Sequence, residues 1–145
     1  MNADRMPPES MQLHASCIAI DGKAVLLLGA SGSGKSDLAL RLIDAGAMLV
    51  GDDQVIIHNT NSALLASPAP RIEGMIEVRG VGILHVPYIA QIPLILAIKL
   101  VSATEIERLP EPQFFDCLGQ KVPLLLFHAF DHSTPAKIRI FLRSL

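Results

Sequence analysis

The chain contains no tryptophan, and aromatic residues make up only 4% of it. It also has no run of basic residues, and its formal net charge is −2. Proteins that follow a nucleic-acid strand need basic grooves for the phosphates and aromatic side chains on which bases stack. Nucleic acid is therefore excluded from the expected partners.

Long apolar runs and closely spaced cysteines are missing as well. No stretch reaches the 18 or so apolar residues of a membrane-spanning helix, and the richest one, "PLILAIKLV", is interrupted by Lys99. We expect no membrane association, and we expect Lys99 to mark an exposed sheet edge or a subunit contact. Cys17 and Cys117 lie far apart, with no CxxC pattern and no metal-ligand spacing. Reduced thiols in the cytoplasm are expected.

The first ten residues, "MNADRMPPES", contain two prolines and lead into no long apolar stretch, so they do not resemble a signal peptide. We expect residues 1–10 to be a disordered leader. Residues 11–145 are expected to form a single domain, because a chain of this length can bury a sizeable core.

Apolar runs of strand length dominate what is present. "LHASCIAI" and "AVLLLG" flank Asp21 and Gly22, and Asp-Gly between apolar runs predicts a hairpin. Apolar spacing from Ser36 to Ala45 predicts a helix that stops at Gly46. The remaining predicted elements are strands in "AMLV", "QVIIH", "IPLILAIKLV" and "VPLLLF", a strand or a strand and turn in "MIEVRGVGILHV", and a closing helix in "PAKIRIFLRSL". Many strands with few helices indicate an α/β domain with a mixed sheet.

One segment carries a specific chemical signal. "GASGSGKS" follows an apolar strand and opens a predicted helix, which is the setting of a phosphate-binding loop, or P-loop. Glycines let backbone N–H groups face phosphate oxygens, and a helix N-terminus adds partial positive charge. The lysine of this pattern contacts the β and γ phosphates of ATP, and the final serine contacts Mg²⁺. The predicted nucleotide-binding residues are Gly29, Ala30, Ser31, Gly32, Ser33, Gly34, Lys35 and Ser36.

Two further segments contain charged candidates. In "LVGDDQV" an apolar strand ends in Asp52 and Asp53, so either carboxylate could lie beside the phosphates, one near a metal and the other near a substrate hydroxyl as a general base. In "MIEVRGVGIL" a strand would place Glu77 and Arg79 on one face, and the glycines that follow would permit close backbone approach. A solvated turn and a surface ion pair are the alternatives.

These three segments, in this order and with His14 upstream, resemble the C-terminal catalytic domain of HPr kinase/phosphorylase. The resemblance covers residues from about 11 to 86 and continues weakly to the end. It implies a P-loop kinase domain related to nucleotide-dependent phosphoenolpyruvate carboxykinases. It also implies a cytoplasmic enzyme that phosphorylates a serine of HPr, the phosphocarrier of the sugar phosphotransferase system, and removes that phosphate by phosphorolysis.

The resemblance also assigns roles to individual residues. It implies that Lys35 and the loop bind ATP, that Ser36 and Glu77 bind Mg²⁺, and that Asp53 accepts the serine proton. His14 would complete the catalytic site near the phosphates, together with Arg79 of the family's signature segment. The implied partner is HPr or a nitrogen-related paralogue of HPr, and the implied assembly is a homo-oligomer, the family being hexameric.

The chain departs from the family in two respects. Family members usually carry an N-terminal domain of comparable size, so we expect a short form without it. The family also has an Arg-Pro-Gly-Arg-Asn segment after a late strand, where this chain reads "VPLLLFHAFDHSTPAKIRIFL". The sequence therefore does not decide whether the chain carries out phosphorolysis. The alternatives to an HPr kinase are a small-molecule P-loop kinase and an ATP-binding regulatory module without transfer activity.

Overall fold

The computed structural model describes residues 9–145, in which eleven strands and two α-helices form a mixed α/β domain. Eight of the predicted leader's ten residues lie outside the described residues, and Ser10 begins the first strand. The elements are β1 (Ser10–Leu13), β2 (Ser16–Ile20), β3 (Lys23–Leu28), α1 (Lys35–Asp44), β4 (Met48–Gly51), β5 (Val55–Asn59), β6 (Leu64–Pro68), β7 (Met75–Val78), β8 (Gly82–His85), β9 (Ile92–Leu100), a 3₁₀ turn (Ala103–Glu105), β10 (Gln113–Cys117), β11 (Gln120–Phe127) and α2 (Thr134–Arg143).

Nine of these strands form one sheet, in the order β1-β5-β6-β9-β3-β2-β4. The strand β11 lies beside the second half of β9, and β10 pairs with β11. The three neighbours β3, β9 and β11 run parallel, whereas the other pairs are antiparallel. Because parallel strands end at the same edge, the segments after β3, β9 and β11 meet there, which is where open α/β sheets bind ligands.

The predicted hairpin is confirmed. Ile20 pairs with Lys23, so β2 and β3 are joined by a two-residue turn made of Asp21 and Gly22. Both residues have positive φ, 51° and 75°, which a type I′ turn requires and which Asp and Gly tolerate. The hairpin thus fixes β3 in the sheet directly before the P-loop.

Helix α1 covers one face of the sheet. Its buried residues Leu38, Ala39 and Leu42 recur with helical spacing, and they belong to one apolar cluster with residues of β2, β3, β4 and β9. The helix spans Lys35–Asp44, one residue earlier than predicted, and Gly46 follows it with φ 111°. A second apolar cluster fills the opposite face, beneath the β5–β6 hairpin. The strand that leads into the P-loop is therefore buried on both faces.

Three expectations are corrected. The run "LHASCIAI" is broken at His14 and Ala15, because β1 pairs with β5 whereas β2 pairs with β3 and β4. Lys99 is exposed but not at a sheet edge, since β3 flanks it on one side and β11 on the other, and the alternative of a subunit contact stays a prediction. Gly80 and Gly82 make no close approach to other described residues, because a Cβ there would meet nothing of the chain within 4 Å. Their φ values of 87° and 122° are what favour glycine.

Both cysteines are buried and free. Burial raises the pKa of the Cys17 and Cys117 thiols, which keeps them protonated and unreactive. Neither α-helix of residues 9–145 is long and apolar enough to cross a membrane.

Candidate active site

The P-loop joins β3 to α1 and holds its lysine folded inward. Lys35 is buried, and its Nζ donates hydrogen bonds to the carbonyl oxygens of Gly29 at 2.7 Å and Ala30 at 3.1 Å. The N-cap of α1 is Gly34 in a left-handed conformation, and no side chain caps the helix. The first-turn amides of α1 therefore remain available to an anion, whose charge Lys35 and the helix dipole would favour.

Close packing explains two of the loop glycines. A Cβ on Gly29 would lie 2.5 Å from Ser33 Oγ, and one on Gly34 would lie 2.7 Å from Ala129 Cβ and 2.9 Å from Phe130 Cζ. The positive φ angles of these glycines, 153° and 99°, add a second restriction. Gly34 is thus required by space as well as by backbone conformation, and a side chain at Gly29 would also displace Ser33.

Asp52 ties three elements together behind the loop. Its Oδ1 accepts hydrogen bonds from Ser36 Oγ at 2.6 Å and Ser16 Oγ at 3.0 Å, while its Oδ2 accepts one from the Glu77 backbone N–H at 3.1 Å. The residue is buried, with 8% of its surface exposed. Asp52 therefore positions the hydroxyl at the start of α1 relative to the strand that carries Glu77.

Asp53 differs from its neighbour in both exposure and contacts. Its φ of 68° turns the chain, and its Oδ1 lies 2.6 Å from Nε2 of His14. A carboxylate only accepts, so the ring nitrogen of His14 is the donor. The two side chains are 57% and 62% exposed, His14 and Asp53 respectively. The sequence left open which acid does what, and the contacts separate a buried Asp52 from an Asp53 that faces solvent.

A cleft of about 610 Å³ brings most of the predicted residues together. This volume is in the range of small-molecule sites. The lining comprises His14, Ser31, Gly32, Gly34, Lys35, Ser36, Asp53, Glu77 and Arg79 from the prediction, and Asp37, Leu40, Val78, Gly80, Gly82, Ile83 and Phe130 besides. Three predicted loop residues, Gly29, Ala30 and Ser33, do not line it; the first two supply the carbonyl oxygens that hold Lys35.

Glu77 and Arg79 reach the cleft from different backbone settings. Glu77 lies in β7, but the strand ends at Val78, and Arg79 stands in the turn that leads to β8. Of the two predicted alternatives, the strand followed by a turn is therefore confirmed, and the two charges do not share one strand face, although both residues line the cleft.

Within the described part of the chain, no cluster of three or more His, Cys, Asp or Glu side chains could hold a metal by itself. Mg²⁺ in kinase sites is bound by one or two carboxylates together with substrate phosphates and water. The Ser36 hydroxyl, oriented by Asp52, and the Glu77 carboxylate line one cleft, and this donor set fits such an ion.

These features define a P-loop nucleotide-binding domain. A strand leads into a glycine-rich loop whose lysine is folded inward, and a helix follows the loop. An acid accepts a hydrogen bond from the last hydroxyl of the loop. The sequence model of the HPr serine kinase C-terminal domain matches residues 6–124. The chain belongs to this family.

Named relatives agree with this assignment. The chain is 37% identical over 117 residues to the HPr kinase/phosphorylase of Clostridium tetani, an alignment that covers 80% of this chain and 38% of the relative. It is 38% identical over 125 residues to the enzyme of the same name from Caldicellulosiruptor bescii, covering 78% of this chain and 40% of the relative. The chain thus spans about two fifths of the length of these curated relatives.

A solved structure resembles the whole fold. The Hpr(Ser) kinase/phosphatase from Coxiella burnetii superimposes with a TM-score of 0.81 and 30% sequence identity, covering 92% of this chain and 89% of that chain. The predicted fold, a P-loop kinase domain with a mixed sheet and few helices, is therefore confirmed.

Proposed function

We propose that this chain is a Mg²⁺-dependent protein kinase that transfers the γ-phosphoryl group of ATP to a serine of HPr or of a nitrogen-related HPr paralogue. The observation that carries the proposal is that Lys35, Ser36 and Asp53 line one cleft. Phosphate-binding groups and a carboxylate able to accept a proton thus face the same space. Membership of the HPr serine kinase family supports the choice of acceptor.

At the phosphate end, we assign the binding of ATP to the loop from Gly29 to Ser36. Lys35 is held within the loop by carbonyl oxygens, so its charge is in place before a ligand arrives. A preorganised cation of this kind stabilises the charge that develops on a transferring phosphoryl group. Arg79, which is exposed and lines the same cleft, adds a second positive charge that we assign to the same role.

The Ser36 hydroxyl and the Glu77 carboxylate are the residues that would hold Mg²⁺. When bound, the ion neutralises charge on the β and γ phosphates. Asp52 contributes from behind, because its hydrogen bonds fix both the Ser36 hydroxyl and the backbone of Glu77.

At the acceptor end, Asp53 takes the proton of the incoming serine. The serine oxygen forms a bond to the γ phosphorus, the bond from that phosphorus to the β–γ bridging oxygen breaks, and ADP leaves with the bonding electrons. The proton passes to the Asp53 carboxylate. His14 donates to Oδ1 of Asp53 and thereby orients the carboxylate in the cleft.

The deciding experiment incubates the chain with purified HPr, ATP and Mg²⁺ and follows HPr by mass spectrometry. A gain of one phosphoryl group on a serine is expected, and the nitrogen-related paralogue is tested in parallel. ATP turnover only with a small-molecule acceptor would favour a small-molecule kinase. ATP binding without any turnover would favour a regulatory module.

The reverse direction needs its own measurement, because no residue of this chain matches the arginine of the family's Arg-Pro-Gly-Arg-Asn segment. Phosphoserine-HPr is incubated with inorganic phosphate, and pyrophosphate is measured. We propose the kinase direction as the principal activity, and pyrophosphate release faster than phosphorylation would contradict that order.

A further inference from the structure

The turn after β11 presents an aromatic side chain to the P-loop cleft. Phe130 is 58% exposed, although it is a large apolar residue, and it lines the same cleft as Ser31, Gly32 and Gly34. Its Cζ lies so close to Gly34 that a Cβ there would be 2.9 Å away. The ring therefore stands against the loop at the point where α1 begins.

The turn that carries this ring is fixed from several sides. Ala129 is fully buried, and its carbonyl oxygen accepts a hydrogen bond from the guanidinium of Arg41. The carbonyl oxygen of His128 accepts from Thr134 Oγ1 at 2.6 Å. The His128 ring packs edge to face on Phe130, with centroids 5.8 Å apart and an interplanar angle of 72°. Phe130 is thus exposed on a firmly held backbone.

The position of the ring suggests a ligand with a flat, apolar part. The loop, Lys35 and the helix terminus supply charge and N–H donors for phosphates, but none of these groups offers a surface for a base. Aromatic rings and nucleobases stack favourably. Such stacking does not depend on which base is bound, because every base has a π-face. We propose that Phe130 is the stacking surface for the base of the bound nucleotide. The inference rests on the proposed function, because it assumes that the cleft binds a nucleotide.

Comparing two ligands tests this assignment. ATP and inorganic tripolyphosphate share the phosphate chain, but only ATP has a base. Their dissociation constants are measured by calorimetry with Mg²⁺ for the wild type, Phe130→Ala and Phe130→Tyr. The matched control is Phe114→Ala, since Phe114 is 54% exposed on β10 and does not line the cleft.

We expect Phe130→Ala to bind ATP about tenfold or more weakly and tripolyphosphate with unchanged affinity, a loss within the range of one aromatic–base stack. Phe130→Tyr and Phe114→Ala should bind both ligands as the wild type does. Equal weakening of both ligands would mean that the ring only shapes the loop at Gly34, and would overturn the proposal. Unchanged affinity for both, with a raised KM for HPr, would mean that the ring contacts the acceptor protein instead.

Fluorescence gives a second readout, because the chain has no tryptophan. In Phe130→Trp, ATP should change the emission of the new indole, whereas tripolyphosphate should not; in Phe114→Trp neither ligand should. A wild type that binds ATP but transfers nothing would refute the proposed kinase and leave this comparison intact. A wild type that binds neither ligand would refute both.

Discussion

The Nε2 atom of His14 lies 2.6 Å from Oδ1 of Asp53, although 39 positions separate the two residues in the chain. Both side chains are more than half exposed, so the pair adds little to the stability of the fold. The hydrogen bond instead orients the Asp53 carboxylate toward the cleft, whereas the neighbouring Asp52 is buried in the protein.

Asp53→Asn tests the general base. Asn keeps the shape of the side chain and tolerates the positive φ of this position. We expect nucleotide affinity close to that of the wild type and phosphoryl transfer slower by about 10² to 10⁴. Nucleotide titration and single-turnover transfer on the same preparation measure both quantities. A drop in affinity that extra Mg²⁺ partly restores would instead make Asp53 a metal ligand, and unchanged transfer would remove the assignment.

Lys35→Ala is expected to abolish transfer from ATP, since it removes the cation held inside the loop. Lys99→Ala is the matched control, because Lys99 is an exposed lysine in β9 that does not line the cleft. The HPr phosphorylation assay should show activity for the control alone. Wild-type turnover in Lys35→Ala would contradict the role of the loop.

Asp52→Asn should weaken both the fold and the site. The substitution places an amide among the Ser16 hydroxyl, the Ser36 hydroxyl and the Glu77 N–H, all of which now donate to carboxylate oxygens. We expect a loss of about 1 to 3 kcal/mol in the free energy of unfolding, together with weaker binding of Mg²⁺-ATP. Urea titration measures the first. An unfolding midpoint equal to that of Asp53→Asn would show that Asp52 does not tie these elements together.

Stability should fall above about pH 9 because of Cys17. Burial raises the pKa of this thiol above its ordinary value of 9.0, so the folded chain keeps a proton that the unfolded chain releases. The contribution of the Cys17 thiol to the free energy of unfolding is fully present below pH 9 and is lost as the pH rises further. Between about pH 9 and 10, the free energy of unfolding should fall more steeply in the wild type than in Cys17→Ala, by up to about 1.4 kcal/mol per pH unit. Equal slopes would contradict this.

The chain is expected to self-associate. The strands β7 and β8 pair antiparallel as a hairpin outside the large sheet. Large apolar side chains are exposed on and after this hairpin, among them Val81, Leu84 and Tyr88. Such surface is typical of subunit contacts. Light scattering should therefore give a mass above 15.6 kDa, and Val81→Asp should lower it. A monomeric mass at every concentration would exclude assembly, the family hexamer included.

The parts of the fold with strong local signals were predictable. Asp21 and Gly22 dictate a tight turn, and the apolar spacing after Ser36 dictates a helix, because each signal lies within a few residues. The split at His14 was not predictable, since the apolar pattern runs through it and only the different partners of β1 and β2 separate them. The strand β10 was not predicted either, although its partner β11 was. Its sequence, "QFFDC", shows no clear alternation of apolar and polar residues.

The site shows the same division. The P-loop and the acids after β4 are local patterns, and the sequence alone placed them in one site. The separate directions of Asp52 and Asp53 depend on one backbone turn that no pattern encodes. Ser16 and Phe130 were not predicted as site residues. Their roles depend on contacts with Asp52 and Gly34, which form only in the folded chain.

The parallel pairing of β3 with β9 bears on how the site arises during synthesis. A ribosome completes the whole P-loop by Ser36, yet β3 has the hairpin partner β2 on one side only until residues 92–100 emerge and pair on the other. Non-local pairing of this kind forms late, because a long stretch of chain must first be closed into a loop. A nascent chain released before β9 should therefore carry the complete phosphate-binding motif and fail to retain nucleotide, whereas one extended through α2 should retain it.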